Sequence, residues 1–483
     1  MKILFLVNME DIGFEEPLGV LYLSALCKHE GHQVYVSENK FSRLEHMIKE
    51  IKPDLLAVSI LTPSFPHLFD TIQSVKKKYD IPVLVGGPHA TFFPEIINKP
   101  EIDYLIAGEG ELALAEFLAR ISSGLSVDGL QNVAVKHSGK EVLKNGVRPL
   151  IKNLDDIRFP DRELFKDYEQ FYGADVRSVM TSRGCIYMCS YCYNHRYQEI
   201  YKGLGERFRV RSVDNVVEEC EELKHRYRAR MIHFFDDIFP FKEEWIEEFA
   251  DKYSKKVALP FFTNTSFNLC SEHYVKNLSR AGCKTLFIGV ETGNERLRER
   301  VLLRKMSNAM MIQRSELLHK YDIKIYTQNL LGIPFGSLDM DIETLRLNIS
   351  LKADFAMAYL CQPYPKTGIE KMAKEAHLLD ENFVLSRSFY YSTPLKIADK
   401  KYVERLRVIF PIVVNFPILL RIVRLLLKVP PLPLQVLNNL LHGYKILTVV
   451  LRYRMSPAVF IKNIKLFVLR RTNALFHSDI TVR

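Results

Sequence analysis

The sequence predicts an α/β protein in three parts. A doubly wound parallel sheet is expected over residues 1–135, a partial (β/α)6 barrel over 175–385 and a mainly helical region over 386–483, with a linker at 136–174. Two observations carry the prediction. Short apolar runs alternate with helical patterns in two separate stretches, as a parallel sheet requires. Beyond residue 385 the alternation stops, and an apolar, basic segment takes over.

In the first part, Ile3–Val7 reads as a buried strand. Leu18, Leu21, Tyr22, Ala25 and Leu26 follow at helical spacing, and Gly31 stands where a helix would stop. Val34–Val36 is the second strand. Leu44, Met47, Ile48 and Ile51 mark the second helix, which Pro53 closes. Leu55–Ile60 is the third strand, and Leu68, Ile72 and Val75 the helix after it. Ile81–Val85 and Tyr104–Ala107 are the fourth and fifth strands. A Rossmann-like sheet of this kind binds ligands at the carboxyl ends of its strands. Gly86-Gly87-Pro88-His89-Ala90-Thr91 and Gly108-Glu109-Gly110-Glu111 lie there. Glycine lets a ligand approach the backbone closely. Gly86, Gly87, His89, Gly108 and Glu109 are the candidate ligand-binding residues of this part; the plainer reading is that the glycines only make tight turns. The G-x-G-x-x-G dinucleotide pattern is absent.

In the second part the expected strands are Ser178–Thr181, Ile232–Phe235, Phe261–Thr265, Thr285–Val290, Ile323–Leu331 and Phe355–Gln362. Helical patterns such as Val216–Tyr227 and Trp245–Tyr253 separate them. Six such units form a TIM-like barrel or part of one, with its site at the carboxyl ends of the strands.

Composition narrows the classes. The chain has 483 residues, 47% hydrophobic and 26% charged, which excludes a disordered or fibrous protein. Its net charge of +10 is uneven: from Lys400 to Arg483 there are 15 Lys and Arg against Glu404 and Asp479, a net +13, so residues 1–399 carry −3. Global charge therefore gives no argument for nucleic acid. Eight cysteines are too few for a disulfide scaffold in a chain of this length. The start, MKILFLVN, has too short an apolar run for a signal peptide, and no uncharged stretch reaches about 18 residues. The expected compartment is a reducing cytoplasm.

The chemistry sits in Arg183-Gly184-Cys185-Ile186-Tyr187-Met188-Cys189-Ser190-Tyr191-Cys192. The spacing is C-x3-C-x2-C, directly after a predicted strand. Thiolates suit zinc or iron–sulfur clusters. A structural zinc takes four ligands, and a Cys3His site with His195 is the alternative to a cluster that leaves one iron open.

C-x3-C-x-aromatic-C after the first strand of a partial barrel resembles the radical S-adenosylmethionine (SAM) superfamily. The resemblance implies that Cys185, Cys189 and Cys192 hold a 4Fe–4S cluster whose fourth iron is chelated by SAM, with Tyr191 against the adenine. Further motifs are similar to those of the family. Asp236 and Asp237, in Phe234-Phe235-Asp236-Asp237-Ile238-Phe239, stand where members contact the SAM amino group, with Asp-Asp in place of the commoner Gly-Gly-Glu. Asn264 is a candidate for the SAM carboxylate. Glu291, in Ile288-Gly289-Val290-Glu291-Thr292-Gly293, resembles the glutamate that binds the SAM ribose. Gly332 and Pro334 resemble the turn near the adenine, and Gln362-Pro363-Tyr364-Pro365-Lys366-Thr367-Gly368 the turn that closes the barrel. Each has a structural alternative: the aspartates as a helix N-terminus, Glu291 as a first-turn acid, Gly332-Ile333-Pro334 as a turn without ligand.

With that barrel behind it, the first part resembles the cobalamin-binding domain of cobalamin-dependent radical SAM enzymes, through Pro17-Leu18-Gly19-Val20-Leu21-Tyr22-Leu23 and the two glycine loops. The Asp-x-His-x-x-Gly signature of other cobalamin proteins is missing, which leaves the lower cobalt ligand open. The resemblance implies three cofactors: a 4Fe–4S cluster, SAM and cobalamin. It implies an electron donor such as flavodoxin or ferredoxin, a 5′-deoxyadenosyl radical that takes hydrogen from an unactivated carbon, and a methyl group delivered from methylcobalamin. Ring closure or oxidation, a barrel without cobalamin, and a non-catalytic zinc or iron–sulfur protein are the alternatives.

The third part bears on the substrate. Ile409–Leu427 is apolar with Arg421 and Arg424 set into it; Leu437, Leu440, Leu441, Ile446 and Leu447 follow, then Arg452 and Arg454. Such stretches suit a helix at the inner face of an anionic membrane, and with it a hydrophobic or lipid-like small-molecule substrate. The alternative is a helical cap packed on the barrel.

Overall fold

Lys2–Val7 (β1) is apolar at five consecutive positions, and the fold buries both of its faces. Ile3, Phe5 and Val7 enter one core with the helices Leu18–His29 and Glu111–Ser122; Leu4 and Leu6 enter a second with the helices Phe41–Ile51 and Phe65–Lys76. Alternation with a period of two, apolar at every position, is what a sheet covered on both sides demands. The structure is a computed structural model describing residues 1–9, 16–136, 146–385 and 392–453. It forms two compact units, Met1–Ile186 with Tyr193–Ala229, and Tyr187–Cys192 with the chain from Arg230 onward.

The first unit contains β1, β2 (Gln33–Glu38), β3 (Leu55–Ser59), β4 (Val83–Gly86), β5 (Tyr104–Ile106) and β6 (Val133–Val135), in the order β2-β1-β3-β4-β5-β6. The first five are parallel. β6 pairs antiparallel with β5, an edge strand too short to register as a pattern in the sequence. The strand order reverses between β1 and β3, which opens a crevice at their carboxyl ends. This unit also holds β7 (Val176–Val179) and the short antiparallel pair β8 (Ser182–Arg183) and β9 (Arg209–Val210). A buried ion network ties β7 in place. Glu16 binds Arg162, Arg177 at 2.9 Å and the Ser178 amide at 3.0 Å, while Glu219 binds Arg162 at 2.8 Å and Arg211 at 2.6 Å. Deleting one partner of such a network leaves an uncompensated buried charge, at a cost of about 3–5 kcal/mol.

The second unit is built on β10 (Met231–Phe234), β11 (Phe261–Thr265), β12 (Cys283–Glu291), β13 (Lys324–Leu331) and β14 (Phe355–Leu360), all parallel and neighbours in that order. The intervening helices start on Ser271, Asn294, Ser307, Ser337 and Thr367, whose side chains accept from backbone amides of the first turn. The architecture is α/β: a Rossmann-like sheet, a parallel barrel sheet and a helical C-terminal region.

That last region is divided in its behaviour. The helix Lys400–Asn415 buries Val403, Leu406, Ile409, Phe410 and Val413 in a core with Leu331, Ala356 and Leu360 of β13 and β14. Ile409–Val414 is therefore packing, as the helical-cap alternative held. From Phe416 to Tyr444 the chain is mixed: Val423 and Leu427 join the same core, while Phe416, Ile418, Ile422, Leu425, Leu432, Val436, Leu437, Leu440 and Tyr444 are exposed. Arg454 lies outside the described residues.

Candidate active site

The loop around Cys189 is held by its neighbours rather than by its own sequence. Ser190 donates its amide to Leu302 O at 3.2 Å and its hydroxyl to Val301 O at 2.5 Å, and its carbonyl accepts from Ile369 N at 2.9 Å. A Cβ at Gly368 would lie 3.4 Å from Ser190 Cβ, so the predicted barrel-closing turn lies against the cysteine loop at van der Waals distance. Within the loop, Cys192 N bonds Cys189 O at 3.1 Å. Cys189 is buried and Cys192 half-buried.

Beside Cys189 lies a buried polar cluster. Tyr191 Oη donates to Glu291 Oε1 at 2.8 Å. Arg304 Nη1 lies 3.2 Å from Tyr191 Oη, 3.6 Å from Glu291 Oε1 and 3.7 Å from Cys189 Sγ, while Nη2 donates to Gly289 O at 3.2 Å. The Arg304 guanidinium also stands over the Tyr187 ring, 5.7 Å from its centre. Glu291 ends β12 at a register shift against β13 and has φ +65°. Bulges and left-handed residues of this kind re-aim a side chain at a cost in backbone energy of about 1–3 kcal/mol. Burial pushes the Glu291 carboxyl up, against the opposing charge of Arg304 and the Tyr191 hydrogen bond. Burial, then Glu291, push the Tyr191 phenol well up, so Tyr191 keeps its proton and acts as donor.

Sequence reasoning missed Arg304 because the run Glu295-Arg296-Leu297-Arg298-Glu299-Arg300 up to Arg304-Lys305 reads as a solvated charged face. The fold buries Arg298 entirely. Its guanidinium ties Thr292 O, Met306 O and Asn308 together, and burial lowers it to about 10. Arg304 N then bonds Arg298 O at 2.9 Å, so the braced loop carries the second arginine to the cluster.

The other predicted residues of this unit fall around the carboxyl ends of the strands. After β10, Asp236 is buried and Asp237 exposed. Asn264 donates Nδ2 to Asp236 O at 2.8 Å, which makes Asn264 a brace for the Asp236–Asp237 turn. Gly332 has φ +68°, and its amide donates to the Asp341 carboxylate at 3.1 Å and 3.3 Å; Pro334 is buried in the same turn. Asp341 was not singled out from sequence. Burial raises its carboxyl to about 7, against the Gly332 hydrogen bond. An unfolded aspartate releases its proton near pH 4. Between about pH 4 and pH 7 the folded state thus holds the extra proton, and stability falls as pH rises through that window. Asp341→Asn is expected to flatten this dependence, read as urea midpoints across pH; an unchanged slope would refute the assignment.

In the first unit, Gln198 Nε2 donates to Cys185 O at 2.8 Å. Gly184 has φ +86°, and any Cβ there would collide with Arg207 O. Cys185, Gly184, Tyr197, Gln198 and Tyr201 line one crevice. Tyr201 reaches the loop after β5: its Oη accepts from Glu109 N at 3.1 Å and fills the space a Gly108 side chain would need. The Glu109 carboxylate binds Arg209 at 2.8 Å, Arg183 at 3.2 Å and Ile151 N at 2.9 Å, and Arg183 also binds Glu111 at 2.5 Å. Burial would raise the Glu109 carboxyl, but Arg209 and Arg183 outweigh it and hold it below the usual range. Glu109 is thus committed to the fold, and through Arg183 it fixes the chain two residues before Cys185.

The loop after β4 is instead a helix, Gly87–Phe92. Gly87, at φ +87°, has no room for a side chain: a Cβ there would lie 2.9 Å from Ile60 N. His89 is buried between Phe65 at 4.3 Å and Phe93 at 4.8 Å, with Nδ1 3.4 Å from Thr62 Oγ1. Gly86 ends β4, and exposed Leu61 and Leu112 follow β3 and β5. An edge of glycine backbone and leucine, with its acids neutralised by arginine, fits a large ring with apolar faces better than a phosphate.

Among the described residues, no set of three or more Cys, His, Asp or Glu converges on a point where one metal ion would sit. A cubane carries its irons at separate corners, so thiolates on it need not converge. Three cysteines within eight residues, Cys185 and Cys189 buried, fit such a cluster.

Two family models match the chain. Residues 10–118 match the B12 binding domain and residues 179–347 the radical SAM superfamily. An uncharacterised methyltransferase of Pyrococcus horikoshii, PH0819, is 27% identical over 374 residues, covering 75% of this chain and 79% of the relative. An anaerobic magnesium-protoporphyrin IX monomethyl ester cyclase of Cereibacter sphaeroides is 24% identical over 380 residues, 74% of this chain and 60% of the relative. Among solved structures, the radical SAM methyltransferase TsrM of Kitasatospora setae, with cobalamin and a [4Fe-4S] cluster bound, shares the fold at a TM-score of 0.65 and 18% identity, covering 78% of each chain.

Proposed function

This chain belongs to the family of radical SAM enzymes that carry a B12-binding domain, with a 4Fe–4S cluster, SAM and cobalamin as cofactors, and on that premise we propose that it methylates an unactivated carbon of a hydrophobic or lipid-like small molecule. When bound, these cofactors supply one electron to the SAM sulfonium and a methyl group for transfer. Cys185, Cys189 and Cys192 would hold the cluster. The observation that carries the reading is the buried Tyr191–Glu291–Arg304 cluster 3.7 Å from the Cys189 thiol.

The chain's own residues have definable tasks there. Glu291 Oε1 accepts the Tyr191 hydrogen bond, which leaves Oε2 to accept from the hydroxyls of a sugar. Arg304 neutralises Glu291 in a site that excludes water, where such a charge interaction is strongest. Asp237, exposed at the carboxyl end of β10, suits an ammonium group. Gly332 and Pro334 present a backbone edge held by Asp341. Electrons come from a flavodoxin- or ferredoxin-like donor, and the protein works at the inner face of a membrane.

The test is anaerobic reconstitution with iron, sulfide and cobalamin, followed by visible spectra and assay of 5′-deoxyadenosine from SAM under reduction. A cluster chromophore, bound corrinoid and SAM cleavage are expected; a protein that takes up cluster but no corrinoid would overturn the methyl-transfer reading. The likeness to a cyclase gives one second reading, ring closure. Product mass separates the two, since only methylation adds a carbon.

A further inference from the structure

The segment after Asn415 is amphipathic in the reverse sense. In the helix Pro431–Lys445, Leu432, Val436, Leu440 and Tyr444 stand at four-residue intervals and are all exposed, Leu432 by 71% and Leu440 by 65%. Asn438 and His442, about half a turn away, are buried instead, His442 against Phe355 of β14 at 5.2 Å. Residues four apart are neighbours on one helix face. The row spans about 18 Å at 1.5 Å per residue. Phe416, Ile418, Ile422 and Leu425, in the preceding turns of the chain, are exposed as well. A row of large exposed apolar side chains along one helix face marks a binding face.

We propose that this face docks onto an anionic lipid surface, with Leu432, Val436, Leu440 and Tyr444 in the acyl boundary and Arg421 and Lys428 on the headgroups. Charge selects the occupant. Arg421, Arg424 and Lys428 are exposed beside the patch, and the sequence has no Asp or Glu from Arg405 to Ser478. Two copies of this face would bring like charges together, whereas anionic headgroups neutralise them. No helix of the described residues is long and apolar enough to cross a membrane, so the contact is one of lying on the surface. The other end of the segment is pinned: Lys445 Nζ donates to Asp354 O at 2.8 Å, and Arg452 binds Asp322 at 3.2 Å. The docking helix is thus rigidly seated on the barrel strands before it meets lipid. At the other edge of the patch, Arg424 pairs with Asp339, in the first turn of the helix that follows the Gly332–Pro334 turn. A lipid surface at this patch lies beside that helix, from which an apolar substrate can be drawn.

The surface rests on the lipid-like substrate reading for its purpose alone, because vesicle binding is measured without turnover. Full-length protein is floated with phosphatidylcholine vesicles with and without phosphatidylglycerol. Binding to the anionic vesicles that weakens with salt is expected. Arg421→Gln/Lys428→Gln should weaken partition by about thirtyfold, at roughly 1 kcal/mol for each basic group. Leu432→Ser/Leu440→Ser should abolish it, and both pairs are exposed enough to leave circular dichroism unchanged. Absence of binding to anionic vesicles overturns the proposal, as does equal binding by the serine variant. A stable dimer that the serine variant converts to monomer would assign the face to a second copy and overturn it equally. Loss of SAM cleavage with vesicle binding intact would count against the enzyme reading and leave this surface standing.

Discussion

Replacing Cys189 by alanine is expected to remove SAM cleavage below detection and to leave the protein unable to retain a full cluster after anaerobic reconstitution. The expectation follows from position as well as motif. Cys189 is the middle thiol of the three, it is buried, and it is the one that Arg304 approaches at 3.7 Å. Two remaining thiolates, Cys185 and Cys192, leave one iron of the cubane without its protein ligand. Ser190, not Cys189, carries the hydrogen bonds that hold the loop, so the alanine variant should fold normally. Iron and sulfide content, visible absorption and 5′-deoxyadenosine are the measurements. Retained turnover with full iron content would remove the cysteine assignment and the radical initiator with it.

The second large effect is expected at Arg304, a residue for which no motif speaks. Arg304→Leu leaves Glu291 buried beside Tyr191 without its cation. Stripping one partner from a buried pair costs about 3–5 kcal/mol, so a marked fall in thermal midpoint should accompany it. Arg304→Lys separates charge from geometry. Lysine keeps the positive charge but cannot reach Tyr191, Glu291 and Gly289 O together, because it lacks the planar fork. That variant should fold, bind iron normally and bind SAM at least about tenfold more weakly, the equivalent of one charge-assisted hydrogen bond. The cluster midpoint potential should also fall, because a hydrogen-bond donor near a ligating sulfur stabilises the reduced state. Unchanged SAM affinity and unchanged potential in both variants would show that Arg304 only packs the core.

The motif residues stand out in the sequence because each sits next to a local signal. The cysteines declare themselves by spacing, Tyr191 by lying between two of them, and Glu291 by ending an apolar strand. The parallel sheets followed from alternation alone, with strand ends correct to within a few residues; Phe261–Thr265 is the same in sequence and structure. Glu109 shows the limit. A glycine loop at a strand end reads as a ligand cradle, yet its carboxylate is taken by Arg183, 74 residues away, and by Arg209, 100 residues away. His89 sits in a short helix between two phenylalanines where sequence suggested an open loop. Nothing in the local pattern distinguishes a polar group facing a ligand from one facing a distant arginine.

By itself, then, the sequence determined the order of strands and helices and the three thiols with their aromatic neighbour, because backbone periodicity and close spacing are local properties. Tertiary structure alone decided that Arg304 meets Tyr191 across 113 residues, that Glu109 braces the chain before Cys185, and that the helix from Pro431 turns its leucines outward. Those outcomes depend on which faces meet once the sheets close. An arginine in a charged run is driven inside only when buried acceptors await it, a carboxylate for Arg304 and backbone carbonyls for Arg298, and a leucine is left outside only when the opposite face of its helix has already been claimed by the core.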